Sequence, residues 1–312
     1  MTAMDGTIAD SDSLELSYMI VSVAATQDST HQFYLYSLRM QSSFWSKGHR
    51  LSFLRRSGEG LWHVWRVVAT AFAFVLLGIQ SVALGLVIIP LMALLPGNSA
   101  VQEFRAQSCI RGMTRVYLFV IQALGTCTIS YKGREKLREP GILVIANHPT
   151  LLDALSLIAQ MPQADCVVKE NYFRNRFLGL AAQGAGYIPS GHGPAMVEMC
   201  VERLRAGRSI IIFPEGTRSP ADELGVFTRG AAHIALRADK CPIPVTIRCD
   251  PSTLHRGQKW WKIPERRFAL VLAVGDPLAT AHVARGRASR GQAARSLTES
   301  WHSYFERQVT VV

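Results

Sequence analysis

From Val67 to Leu95 the chain runs 29 residues without a charged side chain. Crossing a bilayer takes about 20 apolar residues, and an uncharged run this long is rare in a soluble helix. The run therefore reads as a membrane-associated helical segment rather than a buried core helix. Two full crossings need about 40 residues, so the run is too short for them. One tilted crossing fits. A shallow hairpin broken around Gly85 or Pro90 also fits, provided protein or water satisfies the backbone freed at the break.

The flanks are basic on both sides. Lys47, Arg50, Arg55, Arg56 and Arg66 precede the run, and Arg105, Arg111 and Arg115 follow it. Charge asymmetry thus gives only a slight preference for a cytoplasmic N-side. Residues 103–124 read as an amphipathic helix, with arginines on one side and Val116, Leu118, Phe119 and Ile121 on the other. Such a helix suits an anionic membrane surface.

The whole chain of 312 residues has 34 Lys and Arg against 23 Asp and Glu, a net +11. Residues 1–40 hold five acids and one base, so residues 41–312 hold 33 bases and 18 acids, a net +15. A basic face of this kind meets nucleic acid or a membrane. There is no helix-turn-helix signal, no zinc spacing and no aromatic-basic interleaving on a sheet face, so nucleic acid is not expected as a partner. The six cysteines form no CxxC and no metal-ligand spacing, so reduced core thiols are expected and no metal site. Residues 1–60 lack the basic and apolar regions of a signal peptide, so secretion is not expected. They read as a leader without periodicity.

From about residue 128 short apolar strands alternate with helices. Strand candidates are 142–146, 166–168, 209–213, 243–247 and 268–274; helix candidates are 150–161, 194–206, 229–238 and 292–306. This pattern predicts an α/β fold, a mixed β-sheet flanked by helices, with the hydrophobic membrane-associated segment N-terminal to it. The expected organisation is a leader over 1–60, a membrane-associated helical segment over 61–127, a catalytic domain over 128–275 and a C-terminal helical extension over 276–312.

Two stretches carry chemistry. Asn147-His148-Pro149-Thr150-Leu151-Leu152-Asp153 follows a buried strand and opens a helix, with Pro149 suited to the first helical position. On a continuous helix His148 and Asp153 would point about 140° apart. With His148 at the corner before the helix, its ring is able to fold back so that Asp153 fixes one ring nitrogen and leaves the other as a base. The alternative is a surface His and an ordinary helix-start Asp. Phe213-Pro214-Glu215-Gly216-Thr217-Arg218-Ser219 follows the strand SIIIF. Its backbone N–H groups, hydroxyls and arginine fork suit a phosphate or carboxylate. The alternative there is a polar turn with a salt-bridged arginine.

Together, about 60 residues apart and each at a strand end, the two stretches resemble the glycerophospholipid acyltransferase family, in its lysophosphatidate acyltransferase group. The resemblance covers about residues 128–275. The HX4D block is His148 to Asp153. The second block reads Gly184-Ala185-Gly186-Tyr187-Ile188-Pro189-Ser190, and departs from many relatives in having Pro189-Ser190 where they carry Arg. The third block is FPEGTRS at 213–219, and the fourth is Cys241-Pro242-Ile243-Pro244-Val245. Phe227 to Ala232 also fits, where the family has a basic-Gly-Ala helix start. The wording of 166–190, with KWWKIPERR at 259–267, looks like a bacterial subgroup of aryl-polyene-type lipid pathways.

The resemblance implies transfer of a fatty acyl group from acyl carrier protein or coenzyme A, as co-substrate, to a hydroxyl of a lysophospholipid or glycerol-phosphate-type acceptor. A thioester is already activated, so no cofactor is expected. His148 is implied as general base and Asp153 as its orienter. Glu215, Gly216 and Arg218 are implied at the acceptor's anionic head group, with Thr217 a supporting donor. Membrane lipids, the acyl thioester and the lysolipid are the expected partners. Because acyl thioesters are made in the cytosol, the cytoplasmic face of the inner (cell) membrane is the expected location, with a monotopic hairpin as the favoured topology. Rival readings are an acyltransferase of a specialised aryl-polyene-type pathway, a non-catalytic lipid-binding membrane protein, and a Ser hydrolase. The last lacks the GxSxG its nucleophile would need.

Overall fold

The computed structural model describes residues 62–174, 178–221, 223–259, 261–280 and 289–310. The leader, 1–60, lies outside the described residues. His63–Val312 forms one compact unit.

Among the described residues, α1 (Trp62–Ala93) is the one helix long and apolar enough to cross a bilayer, and only 11% of its most apolar window is buried. It does not break at Gly85 or Pro90, as the hairpin reading expected. Leu84–Ile88 widens into a π turn in which the Ile89 N–H reaches Leu84 O. Pro90 then sits at the start of the final α turn. Proline has no N–H, and its ring would press on a carbonyl of a regular α turn; a π turn directly before it accommodates that loss within the helix. The chain reverses instead over residues 94–98. There the Asn98 side chain accepts a 3.0 Å hydrogen bond from Val101 N and caps α2 (Ser99–Ala123).

The orientation of α2 also differs from expectation. Leu118 and Ile121 are buried with Ala106, Ile110 and Tyr117, while Val116 and Phe119 face outward. Its arginines serve the fold: Arg105 donates to Pro96 O at 2.9 Å and Arg115 to Ala159 O at 2.8 Å. The arginine side of this helix was expected on lipid; part of it is spent on carbonyls the turns leave unpaired.

The sheet runs β1-β7-β6-β2-β5-β3-β4, where β1 is Cys127–Lys132, β2 Leu143–Ala146, β3 Asp165–Val168, β4 Ile188–Pro189, β5 Ile210–Ile212, β6 Ile243–Asp250 and β7 Phe268–Val274. All neighbours are parallel except β6 and β7. This is the expected mixed sheet. The central strands β2 and β5 are apolar and buried throughout, as strands covered on both faces must be. Helices α3 (Asp153–Gln160), α4 (Glu170–Arg174), α5 (Leu178–Gly184), α6 (Pro194–Arg205), α7 (Gly230–Ala238) and α8 (Arg290–Thr310) complete the chain order. Two apolar clusters form. One joins α1, α2, α3 and β7; the other joins α6, α7 and α8.

A buried polar network fastens α2 to the sheet. Glu103 accepts from both terminal nitrogens of Arg203, at 2.5 and 3.1 Å, and from Arg208. Arg208 Nε donates to Asp165 at 2.8 Å, and Gln107 donates to the same carboxylate at 2.7 Å. Gly186 makes room for this network. Its φ is +67°, and an added Cβ would lie 2.5 Å from the Glu103 carboxyl carbon. Gly186→Ala is therefore expected to destabilise the protein by at least about 1–2 kcal/mol, from left-handed backbone strain alone. Urea denaturation in detergent tests this, and an unchanged midpoint would contradict it.

Candidate active site

Strands β2 and β5 are parallel neighbours, with Ile145 opposite Ile212. Both motifs therefore leave the sheet side by side at its C-terminal edge, where open α/β sheets place their ligands. Asn147 fixes the first exit. Its side chain donates to Ile247 O at 2.8 Å and accepts from Ile247 N at 2.7 Å, tying the end of β2 to β6.

His148 follows at the corner, and its Nδ1 lies 2.9 Å from Asp153 Oδ2. The helix begins at Asp153, not at Pro149. The delay has a local cause. Asp153 reaches back to accept from Thr150 N and Thr150 Oγ1, both at 2.6 Å, closing the turn before the first helical residue. This backward reach also brings the carboxylate to His148, which a continuous helix would not allow. Asp153 is fully buried. Burial pushes its carboxyl above the ordinary carboxylate range, and the bonds from His148 and Thr150 oppose that rise. A carboxylate already taking two donors accepts from the ring as well, so the proton sits on Nδ1 and Nε2 is left as the basic nitrogen. The ring is stacked on Phe213, with centroids 4.2 Å apart.

The third block grips the backbone of the same histidine from both sides. His148 N donates to Glu215 Oε1 at 2.8 Å, and Ser219 N donates to His148 O at 2.7 Å. Ser219 Oγ donates to the Glu215 carboxylate, as does Gly225 N at 2.9 Å. Here the structure corrects an expectation. Glu215 was implied at the acceptor's head group, but its carboxylate is turned inward and occupied by these donors. A carboxylate would in any case repel an anionic group. Burial pushes the Glu215 carboxyl upward, against the pull of the donors around it. Gly225 is needed for space, since a Cβ there would lie 2.2 Å from Glu215 Oε2.

Gly216 is exposed at the tip of the turn with φ +64°, and its N–H donates to Phe213 O at 2.9 Å. Thr217 and Arg218 are half-buried. Arg218 Nη1 donates to Leu254 O at 2.7 Å and to His255 O at 3.3 Å, anchoring one corner of the guanidinium on the β6–β7 loop. Of the four residues implied at the head group, Arg218 retains donors suited to an anion. Among the described residues no group of His, Cys, Asp and Glu is placed to hold a metal. The six cysteines are unpaired. Burial pushes the Cys249 thiol, on β6, up to about 12, so it is no thiolate near neutral pH.

A family model described as Acyltransferase matches residues 128–248. The chain is 28% identical over 126 residues to the chloroplastic 1-acyl-sn-glycerol-3-phosphate acyltransferase LPAT1 of Arabidopsis thaliana, covering 38% of this chain and 35% of that protein. It is 31% identical over 145 residues to the 1-acyl-sn-glycerol-3-phosphate acyltransferase of Helicobacter pylori, covering 44% of this chain and 56% of that protein. The chain thus spans from about a third to just over half the length of these relatives. In fold it is similar to the 1-acyl-sn-glycerophosphate acyltransferase PlsC of Thermotoga maritima, with TM-score 0.60, 17% identity, and coverage of 80% of this chain and 98% of that one.

Reading the sequence missed several residues of the candidate site. Thr150, Ser219 and Gly225 complete the grip on His148 and Asp153, and Phe213 packs the ring. Lys169, exposed directly after β3, adds a cation at the same sheet edge. Thr150 stands three residues before Asp153, a local spacing that is a signal the sequence did carry. Gly225 carried none, because its partner is ten residues away.

Glu215→Ala leaves two backbone N–H groups without acceptors, at about 1–3 kcal/mol each. It is expected to destabilise the protein by about 3 kcal/mol. Thr217→Ala, by contrast, should stay within about 0.5 kcal/mol. Urea denaturation separates the two, and equal small effects would remove Glu215 from the structural role.

Proposed function

We infer that the protein is an O-acyltransferase moving a fatty acyl group from a thioester, on acyl carrier protein or coenzyme A, to the free hydroxyl of a lysophosphatidate-type acceptor. The observation that carries this reading is the 2.9 Å contact between His148 Nδ1 and Asp153, which leaves Nε2 as the base. The names of the relatives support the acceptor class, since they are acyltransferases of 1-acylglycerol 3-phosphate.

The hydroxyl of the acceptor is a weak nucleophile near neutral pH. His148 Nε2 takes its proton as the oxygen attacks the thioester carbonyl, a contribution of typically about 10²–10⁴-fold. The C–O bond forms, the tetrahedral oxyanion collapses, and the C–S bond breaks. The proton then passes from His148 to the departing thiolate. No acyl-enzyme forms. Asp153 holds the ring and offsets the charge that develops on it. Arg218 holds the acceptor's phosphate. Backbone N–H groups at this edge are the expected oxyanion donors.

The protein sits on one leaflet, at the cytoplasmic face of the cell membrane. Helix α1 is fastened to the domain near both ends. Trp65 Nε1 donates to Leu124 O at 3.0 Å and Arg66 Nη1 donates to Glu265 O, while Ile89 presses on Gly184, where an added Cβ would lie 2.4 Å away. A helix held along its length cannot stand across the hydrocarbon without drawing polar surface of the domain in with it. Lying flat, it buries Phe72, Val75, Ile79 and Leu91, each at least half exposed in the free protein, in the interface.

Incubating the purified protein with labelled acyl thioester and a panel of lysolipids, with products identified by mass spectrometry, tests the reaction. Phosphatidate is the expected product, and another lysolipid as preferred acceptor would overturn the assignment. Arg218→Ala should raise KM for lysophosphatidate at least tenfold and leave KM for the thioester unchanged. The reverse pattern would move Arg218 to the donor side. Val75→Glu with Ile79→Glu should shift the protein from the membrane to the soluble fraction on ultracentrifugation; full retention would contradict the one-leaflet placement.

A further inference from the structure

Among the described residues two that are not glycine take a left-handed backbone, Asp239 with φ 51° and Leu254 with φ 56°. Asp239 has a local reason. It ends α7, where its N–H donates to Ala235 O, and aspartate is among the few residue types that visit this region. Leu254 has no such reason. Leucine cannot bond back to its own backbone, and a left-handed residue with an apolar side chain is disfavoured by about five- to thirtyfold in population. Such conformations persist only where the surroundings over-determine them, and they gather at functional sites.

Leu254 is held from two directions. Its side chain is half-buried and packs on the apolar cluster that joins α1, α2, α3 and β7, directly after the buried Thr253. Its carbonyl accepts from Arg218 Nη1 at 2.7 Å, and the next carbonyl, His255 O, accepts from the same nitrogen at 3.3 Å. Successive carbonyls of an extended chain point to opposite sides, so two of them on one nitrogen need a curled backbone. The left-handed turn at Leu254 supplies the curl. Arg256 N then donates to Ser219 O at 3.1 Å, so the loop after β6 is stitched both to Arg218 and to the residue that follows it.

The consequence falls on Arg218. With Nη1 spent on two carbonyls, the edge of the guanidinium formed by Nε and Nη2 is left without a protein partner among the described residues. Two parallel N–H groups on one edge are what a phosphate takes as a bidentate pair. Anchoring the opposite corner fixes the direction of that edge before any acceptor arrives, so less side-chain freedom is lost on binding.

We propose that Leu254 is a positioning residue for the acceptor: its left-handed backbone turns a carbonyl onto Arg218 and so aims the Nε–Nη2 edge of the guanidinium at the acceptor's phosphate. Leu254 acts here through Arg218, so the inference rests on the reading of Arg218 given above. The apolar side chain, seated in the cluster, holds a conformation that its own Cβ disfavours.

Kinetics of Leu254→Ala against Leu254→Gly in the full chain test this. Both remove the leucine side chain from the cluster, but only alanine keeps the penalty on a left-handed backbone. KM for lysophosphatidate should be about fivefold or more higher in Leu254→Ala than in Leu254→Gly, with KM for the acyl thioester equal in the two. Adding Arg218→Ala to each should erase the difference. Equal KM for lysophosphatidate, a difference that survives without Arg218, or a difference in KM for the thioester instead would each overturn the inference. Arg218→Ala that by itself leaves KM for lysophosphatidate unchanged would overturn the reading of Arg218 beneath it. Should the small side chains prevent folding, Leu254→Asn against Leu254→Val repeats the comparison, because asparagine visits the left-handed region and valine is an outlier there. The lower KM should then belong to asparagine, and equal values would again overturn the inference.

Discussion

The backbone of His148 is held from both sides, its N–H by Glu215 and its carbonyl by the N–H of Ser219. The rest of the site depends on this grip. It exists because β2 and β5 are parallel neighbours, so the loops that follow them leave the sheet together. One loop carries His148, and the other fixes where it sits. Asp153 sets which ring nitrogen holds the proton, and Phe213 sets the plane of the ring. A misplacement of about 1 Å is enough to cost a base of this kind a large part of its rate. Four contacts on one residue are a physical answer to that sensitivity.

The residues that meet at the candidate site were more legible than their supports. His148, Asp153 and Arg218 stand out because their residue types are unusual directly after apolar strands. Strands β2 and β5 are legible because burial on both faces demands apolar runs, and β7 because FALVLAV is apolar throughout although only alternate positions are fully buried. Strand β1, CTISYK, was missed because it alternates buried and exposed positions, so polar residues interrupt every apolar one. The helix start was placed too early because Pro149 suits a first turn, while the turn closed by the bonds between Thr150 and Asp153 keeps the chain out of the helix until Asp153. Glu215 was misread for a related reason. In sequence an acid in a phosphate-like loop looks outward, and only the fold shows that three donors from elsewhere converge on it.

The positive charge divides in a way that counting could not show. Arg203 and Arg208 neutralise Glu103 and Asp165 inside the fold, and Arg105, Arg115 and Arg267 close carbonyls at turns and helix ends. These bases hold α2 and the sheet together. The surplus open to a membrane is correspondingly smaller than the net charge suggests. The apolar outer face of α1 and the charged inner face of α2 therefore differ in kind, one left exposed and the other binding the helical pair to the sheet.

The central claim is that His148 acts as a base toward a bound acceptor rather than as a nucleophile toward the thioester. Thiol release from a long-chain acyl thioester, followed with and without lysophosphatidate, tests it most directly. The account predicts that wild type releases thiol only when the acceptor is present, and that His148→Asn, still folded by thermal melting, releases none in either case. A stoichiometric burst of thiol without acceptor, or turnover by His148→Asn at the wild-type rate, would contradict it.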